Sequence, residues 1–316
     1  MHFLVIGIGS IGERHIKNLR QLGVSDISVY DKYADIFHPN SGLPDLTPQL
    51  TKLDRIIQEY DVCYADPHNY HTKFDAFIIC TPPASHLEYI VMGMQHFSNI
   101  FVEKPISNEL TYLDWVVQTA RNKGLLVQVG YQLRFCKSFQ DMEQRLNRGE
   151  IGKLVSIQSE YGNYLPNWRP NTDYKMSYSS KLTEGGGAIL ECSHELEYVL
   201  SLANSKVTNI KGLSNRNNPL GIEVESLVDI LLEFENGITA NIHLDLLQRN
   251  YVRQCRLIGE KGELTWNFSK EENDSAYISE MQDFINCIQT KRIPMVDSKK
   301  GYDVLVVALK CRDALK

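Results

Sequence analysis

The chain has 316 residues, 43% apolar and 23% charged, an ordinary globular composition that excludes a disordered tail protein and a coiled coil. At roughly 150 residues per domain, two hydrophobic cores are expected. With 33 basic against 39 acidic side chains, the formal charge of −6 offers no long-range attraction to nucleic acid or anionic lipid, so the expected partner is a small molecule.

The longest apolar runs, 3–8 and 76–80, have strand length and fall far short of the roughly 18 residues of a membrane span. The first leads straight into a glycine-rich turn, without the basic leader or cleavage site of a secretory signal. Seven cysteines, at 63, 80, 136, 192, 255, 287 and 311, are scattered and never spaced CxxC, which predicts neither a disulfide framework nor a metal site. The expected location is the cytoplasm, with no nucleic-acid or membrane partner.

Up to about residue 130, short β-branched runs alternate with helical patterns, the signature of βαβ units and a parallel sheet. Strands are predicted near 2–6, 27–30, 76–80, 99–102 and 125–129, with helices near 11–22, 48–59, 84–96 and 109–123. The stretch 32–47, broken by Pro39, Gly42 and Pro44, reads as an irregular excursion. Beyond Gly130 come a helix near 138–148, a strand over 154–161 and an aromatic, Pro-punctuated loop over 162–181. A helix over 187–202 precedes alternating segments at 207–214, 224–235, 238–247, 252–259 and 262–268, with Asn236-Gly237 and Glu260-Lys261-Gly262 as hairpin turns. Helices over 274–290 and 298–314 close the chain.

The expected fold class is α/β. A doubly wound Rossmann domain occupies 1–130, and an α+β domain with a large, mostly antiparallel sheet occupies 131–316, with residues 298–316 packing back on the first domain. One face of the second sheet lacks an evident covering layer, which predicts self-association into a homodimer or homotetramer.

Gly7-Ile8-Gly9-Ser10-Ile11-Gly12 is a GxGxxG that follows a predicted strand and opens a predicted helix. Gly7 serves the tight turn, Gly9 lets the backbone approach a pyrophosphate, and Gly12 packs helix on strand, while the N–H groups around Ser10 and Ile11 face the phosphates. Asp31, nineteen positions beyond Gly12, ends the second strand, where its carboxylate accepts from both adenosine ribose hydroxyls and repels a 2′-phosphate. That favours NAD over NADP, although Lys32 beside it could attract a phosphate.

The strands at 76–80 and 99–102 end in Thr81-Pro82-Pro83-Ala84-Ser85-His86 and Glu103-Lys104-Pro105, and ligands of open parallel sheets collect at such ends. With these residues in order at their spacings, the sequence resembles the Gfo/Idh/MocA family of glucose-fructose oxidoreductase, inositol dehydrogenase and their relatives. The resemblance continues through Gly130 to Phe135 and the Gly185-Gly186-Gly187 helix to the last helices. It implies that Thr81, Pro82, His86, Glu103 and Lys104 contact the cofactor, that Lys104 sits between nicotinamide and substrate, and that the Lys104–Pro105 bond is cis. Arg134 joins the substrate-binding candidates. The plainer reading of Lys104 is a surface charge at a turn, and that of His86 is capping or packing at a helix start.

Helical angles put Glu191 and His194 about 60° apart, with Glu197 nearby and Ile189, Leu196, Leu200 and Ala203 on the opposite face. That apolar stripe should bury, leaving the Glu/His side toward solvent or a cleft; periodicity does not choose between them. The resemblance implies that His194 and Glu191 are catalytic. Much of the family places an Asp four positions before the histidine, whereas here Glu191 stands three before His194.

The loop Tyr164-Leu165-Pro166-Asn167-Trp168-Arg169-Pro170, with Asp173, Tyr174, Ser177 and Tyr178, combines stacking faces with a guanidinium suited to sugar rings and carboxylates. Arg249, Tyr251 and Arg253 could add anion contacts. The alternatives are a loop packed on its own domain and residues of an exposed sheet. Substrate candidates are thus Arg134, Tyr164, Trp168, Arg169, Tyr174, His194 and Arg249, and the resemblance implies hydride transfer between nicotinamide and a carbinol or ketone of a sugar, cyclitol or nucleotide-sugar-like substrate. Ordinary pKa values, about 6.5 for His and about 10.4 for Lys, make neutral His194 the more available proton acceptor, with protonated Lys104 orienting the oxygen. An NAD-dependent glycosidase without net redox, and a non-catalytic nicotinamide-binding sensor, are the alternatives.

Overall fold

The computed structural model describes residues 1–32, 47–169, 172–215 and 217–315, so the excursion predicted over 32–47 lies almost wholly outside the described residues, as does Pro170. The chain divides into two compact units. Met1–Ile106, Tyr112–Gly130 and Tyr277–Lys299 form the first; Ser107–Thr111, Tyr131–Ala276 and Lys300–Lys316 form the second.

In the first unit, β1 (His2–Ile6), β2 (Asp26–Tyr30), β3 (Cys63–Tyr64), β4 (Ala76–Ile79), β5 (Asn99–Glu103) and β6 (Val127–Gly130) make a parallel sheet in the order β3-β2-β1-β4-β5-β6. The connecting helices are α1 (Ser10–Gln21), α2 (Thr47–Tyr60), α3 (His86–Gln95) and α4 (Leu113–Lys123). Phe3–Ile6 and Ala76–Ile79 are buried at every position, which is why these strands read as unbroken apolar runs rather than alternations. Two-residue β3 is exposed and left no such run to recognise. From β1 the chain steps outward through β2 to β3, then returns to β4 on the other side of β1. The carboxyl ends of β1 and β4 therefore flank the topological switch point, where such sheets bind ligands.

In the second unit, α5 (Lys137–Asn147), β7 (Leu154–Gly162), α6 (Ala188–Glu191) and α7 (Ser193–Ala203) precede β8 (Val207–Ser214), β9 (Leu227–Phe234), β10 (Thr239–Asp245), β11 (Val252–Gly259) and β12 (Glu263–Asn267). The sheet order is β12-β11-β7-β10-β9-β8, with β7 and β10 parallel and the other pairs antiparallel. Ile157, Ser159 and Tyr161 alternate inward with Ile230, Ile242, Cys255 and Leu257, while the other face carries Glu160, His243, Gln254 and exposed Leu213 and Leu231. The aromatic loop is a chain of short 3₁₀ turns at Leu165–Asn167, Tyr174–Met176, Tyr178–Ser180 and Leu182–Glu184.

The closing helices are α8 (Asn273–Thr290) and α9 (Ser298–Ala314). From Tyr277 onward α8 belongs to the first unit, where Met281, Phe284, Ile285 and Ile288, spaced i, i+3, i+4 and i+7, enter its core and Phe284 meets Phe101 edge-on at 5.7 Å. Residues 300–316, expected to return to that unit, belong to the second, with Leu315 against Gly212 and Arg312 bonded to Gly186.

Candidate functional site

At the end of β1, Gly7 adopts a φ of +85° while its N–H donates to Tyr30 O at 2.9 Å. A Cβ on Gly12 would lie 2.0 Å from Gly7 O, so no side chain fits where α1 crosses the turn. A Cβ on Gly9, in contrast, would meet nothing within 4 Å among the described residues. Among the described residues the space above Gly9 is open, and no side chain caps the start of α1 at Ser10 and Ile11. Helix N-termini of this kind hold phosphate. Asp31 at the end of β2 accepts from Ile8 N through Oδ2 at 3.1 Å, which ties its carboxylate to the same loop. After β4, Thr81 Oγ1 is buried and meets no partner among the described residues, a polar atom that a ligand would satisfy. Space beside a helix N-terminus, a carboxylate tied to the same loop and an orphaned hydroxyl are features that a bound NAD would fit.

Lys104 follows β5, half-buried, and its bond to Pro105 is cis, as the resemblance implies. Glu103 is buried and receives His15 Nε2 on Oε1 at 2.7 Å. His86, expected at the cofactor, is enclosed by backbone. Its ring is wholly buried, with Nδ1 2.8 Å from Pro105 O and Nε2 2.8 Å from Thr81 O, so both nitrogens are engaged by backbone and no edge remains to touch a cofactor. Burial pushes the pKa of His86 down, against the pull of the two carbonyls.

In the second unit the predicted single helix is broken. Cys192, at φ −100° and ψ 31°, separates α6 from α7, so no single helical wheel passes through both Glu191 and His194. The Glu/His side does not face solvent either: His194 is 5% exposed, and Glu191, Glu195 and Glu197 are buried as well. Glu191 Oε1 accepts from Ser179 Oγ at 2.8 Å, and the Tyr131 ring stands edge-on to the His194 imidazole at 5.3 Å.

Two arginines make this burial tolerable. Arg253 on β11 donates through Nε to Glu195 Oε1 at 2.8 Å; burial pulls the guanidinium pKa down, but the Glu195 carboxylate outweighs it and holds Arg253 charged. Arg134 donates to Glu197 Oε1 at 2.9 Å and to Glu143 Oε1 at 2.8 Å. Burial raises the pKa of Glu197, and Arg134 opposes it only in part. Arg134 was expected to bind substrate and Arg253 to offer anion contacts. Both guanidinium groups are engaged by carboxylates inside the unit, where an unpaired buried carboxylate would be far more costly than the pair.

Of the other substrate candidates, Arg249 is exposed and stacks its guanidinium over the Tyr164 ring at 3.5 Å, and Arg169 lies over Tyr178 at 5.7 Å. Tyr174 donates its hydroxyl to Leu220 O at 2.9 Å, and Trp168 Nε1 is buried with no acceptor among the described residues. The sequence reading missed Ser179 and also Glu225, whose carboxylate accepts from Ile189 N at the start of α6 and from Arg312 of α9. Glu225 and Ile189 are 36 residues apart, too far for any local pattern to pair them.

Comparison with known proteins places these features in a wider set. A family model described as the NAD-binding Rossmann fold of the GFO/IDH/MocA oxidoreductases matches residues 1–131, and the family's C-terminal domain model matches 139–265. A scyllo-inositol 2-dehydrogenase (NAD(+)) from Bacillus subtilis is 22% identical over 319 residues, covering 92% of this chain and 87% of that relative. The structure of a scyllo-inositol dehydrogenase from Lactobacillus casei with bound NAD(H) and scyllo-inositol superposes with a TM-score of 0.81 at 20% identity, covering 99% of this chain and 96% of that one. A UDP-N-acetylglucosamine 3-dehydrogenase from Acidithiobacillus ferrooxidans gives 0.77 at 18% identity, over 100% and 97% of the two chains.

Proposed function

The chain belongs to the Gfo/Idh/MocA family of NAD-binding oxidoreductases, and from that premise we propose that it is an NAD-dependent dehydrogenase or reductase acting on a carbinol or ketone of a cyclitol or sugar. Bound NAD supplies the hydride acceptor, C4 of nicotinamide. The rest of the chemistry falls to the chain's own side chains. Lys104, protonated, donates to the reacting oxygen and stabilises its alkoxide character. His194 takes the hydroxyl proton on oxidation and returns it on reduction. Glu191, with one oxygen held by Ser179, orients the imidazole. Tyr164, Trp168, Arg169 and Arg249 bind the substrate body. Inositol dehydrogenases among the relatives support a cyclitol first, and the UDP-sugar dehydrogenase keeps nucleotide sugars in the panel to be tested.

The observation that carries this reading is the cradle at the switch point: open space over Gly9, Asp31 tied to Ile8 N, and Lys104 at the end of a neighbouring strand of the same sheet. The test incubates purified protein and NAD with inositols, sugars and nucleotide sugars while the absorbance of reduced nicotinamide is followed. Steady accumulation with one class is expected. Glycoside cleavage without accumulation would make the protein an NAD-dependent glycosidase instead, and NAD binding without any turnover would make it a sensor.

A further inference from the structure

We propose that His86 is a positioning residue for Lys104: its imidazole ties the turn after β4 to the turn after β5, and so fixes where the ammonium is carried. The proposal rests on the reading of Lys104 as the group that orients the reacting oxygen. The ladder between the two strands ends at Ile79 opposite Val102, so the sheet no longer holds the chain at Thr81 and Lys104 in register. The His86 ring takes over at that point. It is fully buried at the first residue of α3, with Nδ1 2.8 Å from the carbonyl of Pro105, the residue after Lys104, and Nε2 2.8 Å from the carbonyl of Thr81. A neutral imidazole has one N–H donor and an imidazolium two, so at least one of the two ties is a donated bond in either state. The Thr81 side chain carries the orphaned hydroxyl of the NAD cradle, so one ring lies against both a cofactor turn and the lysine turn.

Amide side chains separate the two ties. In His86→Asn the amide nitrogen falls close to the position of Nδ1 and retains a donor for Pro105 O; in His86→Gln it falls close to Nε2 and retains a donor for Thr81 O. The experiment compares these with His86→Leu and Lys104→Ala in the full-length protein. It reads kcat and KM on the compound that the wild type turns over, the NADH dissociation constant by fluorescence titration, and folding by circular dichroism. Displacement of a reacting group by about 1 Å costs on the order of 100-fold in rate, so His86→Leu should lower kcat by about that factor, and His86→Asn should regain at least about tenfold of it. His86→Gln should regain little kcat but bind NADH more tightly than either.

Amide exchange over residues 103–107, followed by mass spectrometry, gives the matching order without any substrate: slow in wild type and His86→Asn, fast in His86→Leu and His86→Gln. Equal exchange in all four proteins, or Asn and Gln variants that lose kcat and NADH affinity in the same proportion as His86→Leu, would overturn the proposal. An active His86→Leu beside an inactive Lys104→Ala would overturn the positioning role alone. Full activity of Lys104→Ala would instead overturn the reading of Lys104.

Discussion

The turn that carries Lys104 and the helix that carries His194 are held in different ways. Around Lys104 the ties are imidazole to backbone, from His86 to Pro105 O and Thr81 O, with one imidazole–carboxylate bond from His15 to Glu103. Around His194 they are ion pairs in the second unit, buried for Arg253–Glu195 and Arg134–Glu197 and partly exposed for Arg134–Glu143. The His86 imidazole needs only backbone carbonyls around it, whereas a buried carboxylate is tolerated only while its charged partner stays. The first arrangement should therefore be sensitive in rate and the second in stability.

The largest expected effect tests the ion pairs. Arg253→Met strands the Glu195 carboxylate and should cost about 3–5 kcal/mol in urea unfolding, while Arg253→Met with Glu195→Leu should recover most of that loss. A single variant as stable as the double would show that the pair does not pin α7. Next comes the cradle. Gly9→Ala adds a methyl where the protein places no atom within 4 Å among the described residues, so melting should be unchanged while the NADH dissociation constant rises by about 100-fold, or roughly 2.7 kcal/mol. Unaltered NADH affinity would mean that the pyrophosphate does not pass over Gly9.

A smaller effect is expected at Ser179, whose hydroxyl donates to buried Glu191. Ser179→Ala should destabilise by about 2 kcal/mol and lower kcat with little change in KM, both read on the purified variant. The smallest concerns His243, on the outer face of the second sheet between Asp229 Oδ1 at 2.7 Å and Asp245 Oδ2 at 3.1 Å. The Asp245 bond leads the effects that raise its pKa from the ordinary 6.5 to about 9. The folded value lies above the unfolded one, so the stabilisation is complete below pH 6.5 and fades as pH rises through about 9. The imidazole and Asp229 are partly exposed and screened, although Asp245 is buried, so about 1 kcal/mol is expected, seen as a gap between wild type and His243→Gln in urea midpoints at mildly acidic pH that closes at alkaline pH.

The same contrast explains what could be read from the sequence. The parallel sheet and the glycine turn were legible because each is a local pattern, an apolar run and three glycines at fixed spacing, whereas the cis Lys104–Pro105 bond was implied only by the family resemblance. The pins of α7 were not legible. Arg134 and Glu197 are 63 residues apart, Arg253 and Glu195 are 58 apart, and an arginine in a sequence looks like an anion site until its carboxylate is found. The wheel drawn through 187–202 failed because nothing in the apolar spacing announces the break at Cys192, and because paired charges violate the rule that a polar face lies outward. His86 is wholly buried at the start of α3, and the two carbonyls its ring meets lie 5 and 19 residues away in sequence, the second too far for a local pattern to pair.

The account turns on direct hydride transfer with Lys104 and His194 handling the oxygen and its proton. The most direct measurement supplies an inositol deuterated at its carbinol carbons, or the corresponding deuterated sugar, with NAD, and follows deuterium in the reduced nicotinamide by mass spectrometry for wild type, Lys104→Ala and His194→Ala. The account predicts deuterium transfer by the wild type and a loss of rate of about 100-fold or more in each variant. Transfer at the wild-type rate in both variants would contradict it.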